Sequence, residues 1–187
     1  MTQVALRMDQ LESLLSKRTK LVAFSHVSNV LGLINPAKHI CDRAHEAGAR
    51  VLIDGAQSVP HLQIDVQGLG CDFLAFSGHK LLGPMGIGVL WARRELLEQM
   101  PPYQAGSNMA HNVSLDAAEF AHGGYKFCAG TPYASGAIGL AAAFQFLKSL
   151  SYEKLRTNEV ELTSYAVARL ASFRRKTPIF KRIFSRQ

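Results

Sequence analysis

The sequence predicts an α/β fold built on a mostly parallel sheet that is flanked by helices. Short apolar runs of strand length alternate with stretches of helical periodicity, which is typical of this class. The strand-length runs are almost wholly apolar, as expected where both faces of a sheet are covered. Polar residues cluster directly after three of these runs, and ligands of parallel sheets bind at such positions.

The predicted elements follow one another in a regular order. Four strands are expected, at Leu21 to His26, Val51 to Asp54, Asp72 to Phe76 and Gly86 to Trp91. Helices are expected at Pro36 to Ala47, Arg94 to Met100, Gly136 to Leu147 and Tyr152 to Phe173. Proline suits the first turn of a helix, and Gly48 suits the end of one. The segment from Pro101 to Pro132 lacks clear periodicity, so it is either a functional loop or contains elements that periodicity does not reveal.

Composition excludes several classes of protein. The chain has 187 residues, 48% apolar and 19% charged, which is typical of a soluble globular protein. No apolar run approaches the ~20 residues that cross a bilayer, and no signal-peptide pattern opens the chain. Cys41, Cys71 and Cys128 lack the spacing of a disulfide framework or zinc site, and the histidines lack metal-ligand spacing. The chain is therefore expected to be cytoplasmic, with no membrane contact and no metal.

The net charge of +7 is concentrated at the C-terminus. Six basic residues and no acidic residue follow Phe173, namely Arg174, Arg175, Lys176, Lys181, Arg182 and Arg186. Without them the net charge of the first 173 residues is about +1. One domain is therefore predicted over residues 1–173, followed by a basic tail at 174–187 that is either solvated or disordered, or foreign to the domain. Nucleic-acid binding is not predicted, because no aromatic interleaving or binding motif accompanies the charge.

Three polar segments follow predicted strands, at Ser25 to Asn29, Asp54 to Gln57 and Ser77 to Lys80. Because the carboxyl ends of parallel strands meet at one edge, the Asp54 carboxylate and the Lys80 amine are expected to face one crevice. Two interpretations remain open on spacing alone. The two side chains form an ion pair with each other, or they hold a ligand between them.

The sequence around Lys80 resembles the pyridoxal 5′-phosphate (PLP) attachment signature of class V aminotransferases. The resemblance runs from Cys71 to Lys80 and continues through the paired glycines of Gly86 to Leu90. Further matches occur in the family's order, at Ser28 to Gly32, Asp54 to Gln57 and Gly130 to Pro132. The resemblance covers Leu6 to Leu170 and is closest to SufS-type cysteine desulfurases. It implies part of the large domain of PLP-dependent transferases of fold type I, truncated at both ends.

The resemblance also implies roles for individual residues. Lys80 would form the Schiff base with PLP, and a largely desolvated amine is expected there because burial disfavours the ammonium form. Asp54 would hold the pyridine nitrogen protonated, so that the ring accepts electrons from the substrate. Gln57 would bond the phenolic oxygen, and Asn29 would lie near that oxygen or the substrate. An ordinary turn residue is the alternative for Asn29.

The cofactor phosphate is implied to lie near Ser77 and His79, with Gly78 allowing the backbone to come close. Thr131 resembles a threonine that reaches the phosphate of the other subunit's cofactor, which implies a homodimer. An ordinary approach to the following helix is the alternative for Thr131. Cys128 occupies a position where the family usually has glutamate, and a small apolar filler is expected there.

The resemblance implies a desulfurase that converts L-cysteine to L-alanine and passes the sulfur to the enzyme or to an acceptor protein. Relative to the family, the chain is expected to lack an N-terminal phosphate-binding turn and a ring-stacking histidine. It is also expected to lack a C-terminal arginine for the substrate carboxylate and the cysteine nucleophile. Little turnover is therefore expected from this chain alone. The alternatives are a kynureninase-like or epimerase-like enzyme of the same class, or a non-catalytic remnant.

Overall fold

A four-stranded sheet forms the centre of the fold. The computed structural model describes residues 6–176, which divide into two units, one ending at Gln145 and the other beginning at Phe146. The sheet belongs to the first unit and has the strand order β1 (Leu21–Ser25), β2 (Arg50–Asp54), β3 (Phe73–Ser77), β4 (Gly88–Ala92). β1, β2 and β3 run parallel, whereas β4 pairs with β3 in the antiparallel sense. The prediction of a mostly parallel sheet is confirmed.

The described residues form six α-helices, and the last of them lies in the second unit. Their bounds are α1 Leu11–Leu14, α2 Ala37–Glu46, α3 Val66–Leu69, α4 Arg94–Gln99, α5 Ala134–Leu150 and α6 Tyr152–Lys176. Short 3-10 helices occupy Met8–Gln10, Gly78–Leu81 and Gly123–Phe127. Gly48 follows α2 with a φ of 80°, and its N–H donates to the carbonyl of His45 at 2.9 Å. Gly48 therefore ends α2 as predicted, since glycine adopts this left-handed backbone without strain.

The core lies between α2 and the middle of the sheet. α2 packs against β2, and its buried side chains recur on one stripe at Ala37, Ile40, Cys41 and Ala44. Val51 and Ile53 of β2 are fully buried, and Leu74 continues the same face on β3. Phe144 of α5 meets Phe76 edge-to-face, with ring centroids 5.8 Å apart. Apolar contact on this one face therefore fixes the register of the parallel strands.

The prediction that both faces of the sheet are covered is not met. Exposure alternates along β1 and β4, and Leu21 and Leu90 remain about half exposed, at 51% and 55%. Both side chains lie on the face opposite Ile53, since side chains alternate along a strand. The apolar runs in the sequence therefore reflect a sheet with two apolar faces. Residues 6–176 cover only one of these faces fully.

Replacing Ile53 with alanine is expected to lower the free energy of unfolding by about 3 kcal/mol. Ile53 is among the largest fully buried side chains, so its removal leaves a cavity between the sheet and α2. Leu90→Ala, which truncates a half-exposed side chain in the same sheet, is the matched control and should cost less than about 1 kcal/mol. Urea unfolding followed by circular dichroism measures both. Equal losses of unfolding free energy in the two variants would show that Ile53 contributes no more to the core than Leu90 does.

The segment predicted without periodicity contains regular structure. β5 (Ala110–Val113) and β6 (Ala118–Phe120) form an antiparallel pair, with a register shift near Asn112. The fully buried Met109 continues this pair, because its carbonyl accepts a hydrogen bond from the N–H of Ala121 at 2.8 Å. The strands are short, mostly exposed and irregular, so they lack the alternation that reveals a strand in sequence.

The long last helix passes the predicted end at Phe173. α6 continues to Lys176, so Arg174, Arg175 and Lys176 lie on a helix rather than in an unstructured segment. The remainder of the predicted basic tail, residues 177–187, lies outside the described residues. Across the part of the chain that is described, no helix combines the length and apolar character needed to cross a membrane.

Candidate functional site

The three predicted polar segments meet at one edge of the sheet. Backbone hydrogen bonds continue the parallel ladder just past the strand ends. The N–H of His26 donates to the carbonyl of Asp54 at 3.0 Å, and the N–H of Gly55 donates to the carbonyl of Ala75 at 2.8 Å. Gly78 is held in the same way, because its N–H donates to the carbonyl of Ile87 at 2.8 Å. The segments that follow β1, β2 and β3 are therefore fixed side by side at the carboxyl ends of the parallel strands.

Asp54 presents an exposed carboxylate at this edge, and both of its oxygens have hydrogen-bond donors. Ser25 is its register partner on β1, and the Ser25 hydroxyl donates to Asp54 Oδ2 at 3.2 Å. The backbone N–H of Ala56 donates to Asp54 Oδ1 at 2.9 Å. Ser25 and Asp54 point to the same face because they are aligned in a parallel ladder. The carboxylate is thus oriented by two neutral donors.

Lys80 lies on the 3-10 helix Gly78–Leu81, immediately after β3. Its side chain is exposed, so the expected desolvation of Lys80 is not met within residues 6–176. The helix projects from the sheet edge, and its buried anchors are Gly78 and Leu81 rather than the lysine. In the described part of the chain no ion pair joins Asp54 to Lys80. Both groups are therefore available to a ligand, and the ion-pair alternative is not observed.

The turn that carries Lys80 is tightly packed from behind. A methyl group added at Gly78 would lie 2.9 Å from both the carbonyl oxygen and Cγ2 of Ile87, and 3.4 Å from Leu140 Cδ1 of α5. Leu82, which ends the turn, has a φ of 62°. A leucine in this left-handed region is strained by roughly 1–2 kcal/mol. Backbone packing, not the lysine side chain, therefore sets the position of the turn.

The other predicted cofactor residues surround this edge. Ser77 is half-buried at the end of β3, and His79 is exposed on the 3-10 helix. Gln57 is half-buried in the turn after Asp54. Asn29 is exposed in a turn that Ser28 organises, because the Ser28 hydroxyl accepts the N–H groups of Val30 at 3.3 Å and Leu31 at 3.2 Å. Asn29 is thus a turn residue, although its φ is not positive.

Thr131 lies in the loop before α5. It is exposed, and it follows Gly130, whose φ is 85° and whose N–H donates to the carbonyl of Ser107 at 2.9 Å. The approach to α5 that was the alternative for Thr131 is therefore present. Within residues 6–176 the structure records no hydrogen bond from Thr131 to the residues around Lys80.

No role was predicted from the sequence for Ser25 and His26, which lie beside the site. Ser25 was recognised only as part of a polar segment, and its bond to Asp54 depends on strand register that sequence does not reveal. His26 is buried, and burial lowers the pKa of its imidazole. Its Nδ1 has no hydrogen-bond partner among the described residues. His26 ends an apolar run in the sequence, and that position was the signal that its ring would be buried.

Asp72 forms a buried charge cluster at the opposite edge of the sheet. Its side chain is 1% exposed, and its Oδ2 accepts bonds from His45 Nε2 at 2.7 Å and from the N–H of Val51 at 2.8 Å. Arg50 and Arg93 approach Oδ1 at 3.4 and 3.5 Å. Asp72 precedes β3, so this cluster joins the amino ends of the strands and is separate from the site around Asp54.

The cysteines do not contribute to the site. Cys41 and Cys71 are buried, and burial raises the pKa of the Cys41 thiol to about 11. Cys128, which was expected to be a small apolar filler, is exposed. It lines an apolar groove of about 1120 Å³ beside Leu90 and Phe127, and its thiol donates to the carbonyl of Gly124 at 3.5 Å. The described residues contain no group of histidine, cysteine and acidic side chains arranged to hold a metal ion.

Similarity to known proteins identifies the family. A family model described as aminotransferase class-V matches residues 2–181. The chain belongs to the aminotransferase class-V family. The enzymes of this family depend on PLP, and a glycine covalently linked to the PLP cofactor is present in a structure of C-DES. This chain resembles that structure with a TM-score of 0.69 at 29% identity, over 79% of its own length and 40% of C-DES.

Closer relatives within the class-V family are cysteine desulfurases. The chain is 49% identical over 166 residues to a probable cysteine desulfurase of Halalkalibacterium halodurans, covering 89% of this chain and 41% of that protein. It matches the crystal structure of the cysteine desulfurase CsdA from Escherichia coli with a TM-score of 0.85 and 41% identity, covering 87% of this chain and 41% of CsdA. The predicted family and the PLP-dependent transferase fold are confirmed. The chain spans about 41% of the length of these relatives.

Proposed function

We propose that this chain carries the PLP-binding part of a cysteine desulfurase. The observation that supports the proposal is the placement of Asp54 and Lys80. They follow neighbouring parallel strands at one edge of the sheet, both are exposed, and no ion pair between them occupies either group in the described residues. A class-V chain that is similar to cysteine desulfurases would need both groups free for its cofactor.

The residues at this edge fit PLP chemically. PLP carries a ring nitrogen, a phenolic oxygen, an aldehyde and a phosphate, and each needs a different partner. Asp54 supplies a carboxylate that accepts a hydrogen bond from the ring nitrogen. Gln57 supplies an amide that donates to the phenolic oxygen, and Lys80 supplies a primary amine for the aldehyde. The hydroxyl of Ser77 and the imidazole of His79 are donors for the phosphate.

When bound, PLP supplies an electron sink for bonds broken at the substrate's α-carbon. The residues of this chain then hold and tune that group. Asp54, kept in place by Ser25 and Ala56, holds the proton on the ring nitrogen. Lys80 would anchor the cofactor, and its amine would serve as the base that moves a proton at the α-carbon. Asn29 lies on the turn beside the site, where it can contact the ring or the substrate.

The whole reaction proposed is the conversion of L-cysteine to L-alanine, with sulfur passed to the enzyme or to an acceptor protein. We place Thr131 at the phosphate of a second subunit, so the working enzyme is a homodimer. Cys41 and Cys71 are buried on other elements, Cys128 lines the apolar groove, and within residues 6–176 no hydrogen bond joins any of them to Lys80. We therefore expect PLP binding from this chain without appreciable desulfurase turnover.

Lys80→Ala is expected to abolish covalent PLP binding, because no other amine occupies the 3-10 helix after β3. The protein is mixed with PLP, reduced with borohydride and digested, and mass spectrometry then locates the attached cofactor. Most of the label should be on Lys80. Lys17 is an exposed lysine outside the proposed site, so Lys17→Ala is the control and should keep the label at Lys80.

Circular dichroism must show that Lys80→Ala keeps the native helix content. Label spread evenly over surface lysines in the native protein, or undiminished labelling in Lys80→Ala, would overturn the proposed cofactor site.

A further inference from the structure

Ser25 is not among the residues to which the family resemblance assigns a role. It ends β1, and its Cα is the register partner of Asp54 on β2. The Ser25 hydroxyl lies 3.2 Å from Asp54 Oδ2. A carboxylate only accepts hydrogen bonds, so the hydroxyl donates its proton to Asp54. The single hydroxyl proton of Ser25 is therefore donated to the carboxylate that is proposed to hold the ring nitrogen of PLP.

The contact constrains rotation of the Asp54 carboxyl group. Ala56 N–H holds Oδ1 at 2.9 Å from the chain's own turn, while Ser25 holds Oδ2 from the neighbouring strand. One donor alone would leave the group free to turn about its last bond. Two donors on different oxygens, from different segments, fix the plane of the carboxylate before any ligand arrives, and such preorganisation reduces the ordering cost of binding.

Ser25 is itself held in place from behind. The side-chain amide of Asn35 donates to the Ser25 carbonyl at 2.7 Å, and the Asn35 N–H donates to the carbonyl of His26 at 2.8 Å. The N–H of His26 in turn donates to the carbonyl of Asp54 at 3.0 Å. Asn35, Ser25 and Asp54 thus form a continuous set of hydrogen bonds from the loop after β1 to the carboxylate.

We propose that Ser25 is a positioning residue that orients Asp54 toward the ring nitrogen of PLP. The inference rests on the proposed function, because it requires PLP to occupy the edge beside Asp54. It assigns Ser25 no contact with the substrate and no role in proton transfer. Its effect is exerted through Asp54 alone, so it should change both the affinity for PLP and the electronic state of the ring nitrogen.

The test compares Ser25→Val with Ser25→Thr, two variants of nearly equal shape that differ by the hydroxyl group. Both residues are favourable in a strand, so folding should be retained equally. PLP labelled with ¹⁵N in the ring is titrated into each protein, and the dissociation constant and the ¹⁵N chemical shift are measured. Ser25→Val should bind PLP roughly tenfold more weakly and shift the ring-nitrogen signal. Ser25→Thr should stay within about twofold of the native protein.

Ser13→Ala is the control for loss of a serine hydroxyl elsewhere, since Ser13 of α1 is exposed and its hydroxyl donates to the carbonyl of Gln10 in the preceding 3-10 helix. It should change neither quantity. Equal affinity and an equal ¹⁵N shift in Ser25→Val and Ser25→Thr would overturn the positioning role while leaving the proposed function intact. Native protein that binds no PLP at Lys80 would overturn both. A lower melting temperature without a change in the ¹⁵N shift would reduce Ser25 to a structural residue and also refute the proposal.

Discussion

Asp72→Asn is expected to lower the free energy of unfolding by about 3 kcal/mol, because an amide in place of the buried carboxylate leaves some of the donors that converge on it without an acceptor. Asp72 is 1% exposed and accepts bonds from His45 and from the N–H of Val51. Asparagine keeps the shape but removes the charge that Arg50 and Arg93 approach. The amide also places a donor group where only donors converge. Urea unfolding at neutral pH measures the loss.

The effect of Asp72→Asn should depend on pH. Burial by itself raises the pKa of a carboxyl group, but the hydrogen bonds from His45 and Val51 and the charge of Arg50 outweigh it, so the pKa of Asp72 is lowered. A lowered pKa stabilises the native state above the unfolded value of about 3.9, and the contribution is lost as the pH falls through the folded pKa. The difference between native protein and variant should therefore be largest near neutral pH and shrink below about pH 4.

Asp42→Asn is the matched control for Asp72→Asn. Asp42 pairs with Lys38 on the exposed face of α2, and such a pair is worth less than about 1 kcal/mol. The control should therefore change the free energy of unfolding little at any pH. A loss in Asp72→Asn no larger than in this control would show that the buried cluster does not hold the amino ends of the strands together.

Gly78→Ala is expected to cost about 2 kcal/mol of folding free energy and to disturb the turn that carries Lys80. The new methyl group would lie 2.9 Å from the backbone carbonyl oxygen of Ile87, and backbone cannot move aside as a flexible side chain can. The carbonyl also accepts the N–H of Gly78, so relieving the contact weakens the bond between the end of β3 and the loop before β4. Labelling of Lys80 by PLP should fall in parallel.

Gly124→Ala provides the comparison for Gly78→Ala. No atom lies within 4 Å of a methyl group added at Gly124, and its φ is not in the left-handed region. This variant should unfold at a urea concentration close to that of the native protein and should label normally at Lys80. Full labelling of a folded Gly78→Ala protein would mean that the turn tolerates displacement, and the proposed tight placement of Lys80 would be wrong.

The sequence predicted the elements whose apolar periodicity is strong. The strands beginning at Leu21 and Val51 and the helix after Pro36 were predicted to within about two residues, because burial of one face imposes the pattern. β5 and β6 were missed because both are short and mostly exposed, so burial imposes no pattern on them. The antiparallel direction of β4 also could not be predicted, since a strand's apolar pattern is the same in both directions.

The grouping of the candidate site's segments at one edge of the sheet was predictable, but the exposure and hydrogen bonds of its side chains were not. Parallel strands bring their carboxyl ends together, so the grouping of the segments after β1, β2 and β3 follows from topology. The exposure of Lys80 could not be inferred, because burial depends on what packs over the turn rather than on neighbours in sequence. The Ser25–Asp54 bond requires the register of β1 against β2, which emerges only when the strands are aligned.

The buried cluster around Asp72 and the site around Asp54 lie at opposite ends of β2. Val51, whose N–H binds Asp72, is three residues from Asp54, a separation of roughly 10 Å along a strand. Groups that far apart with no shared side-chain partner contribute to free energy almost independently. Over evolution, substitutions that retune the proposed cofactor edge can therefore accumulate without eroding the fold, and the stabilising end of the sheet can change without altering the chemistry proposed at the other end.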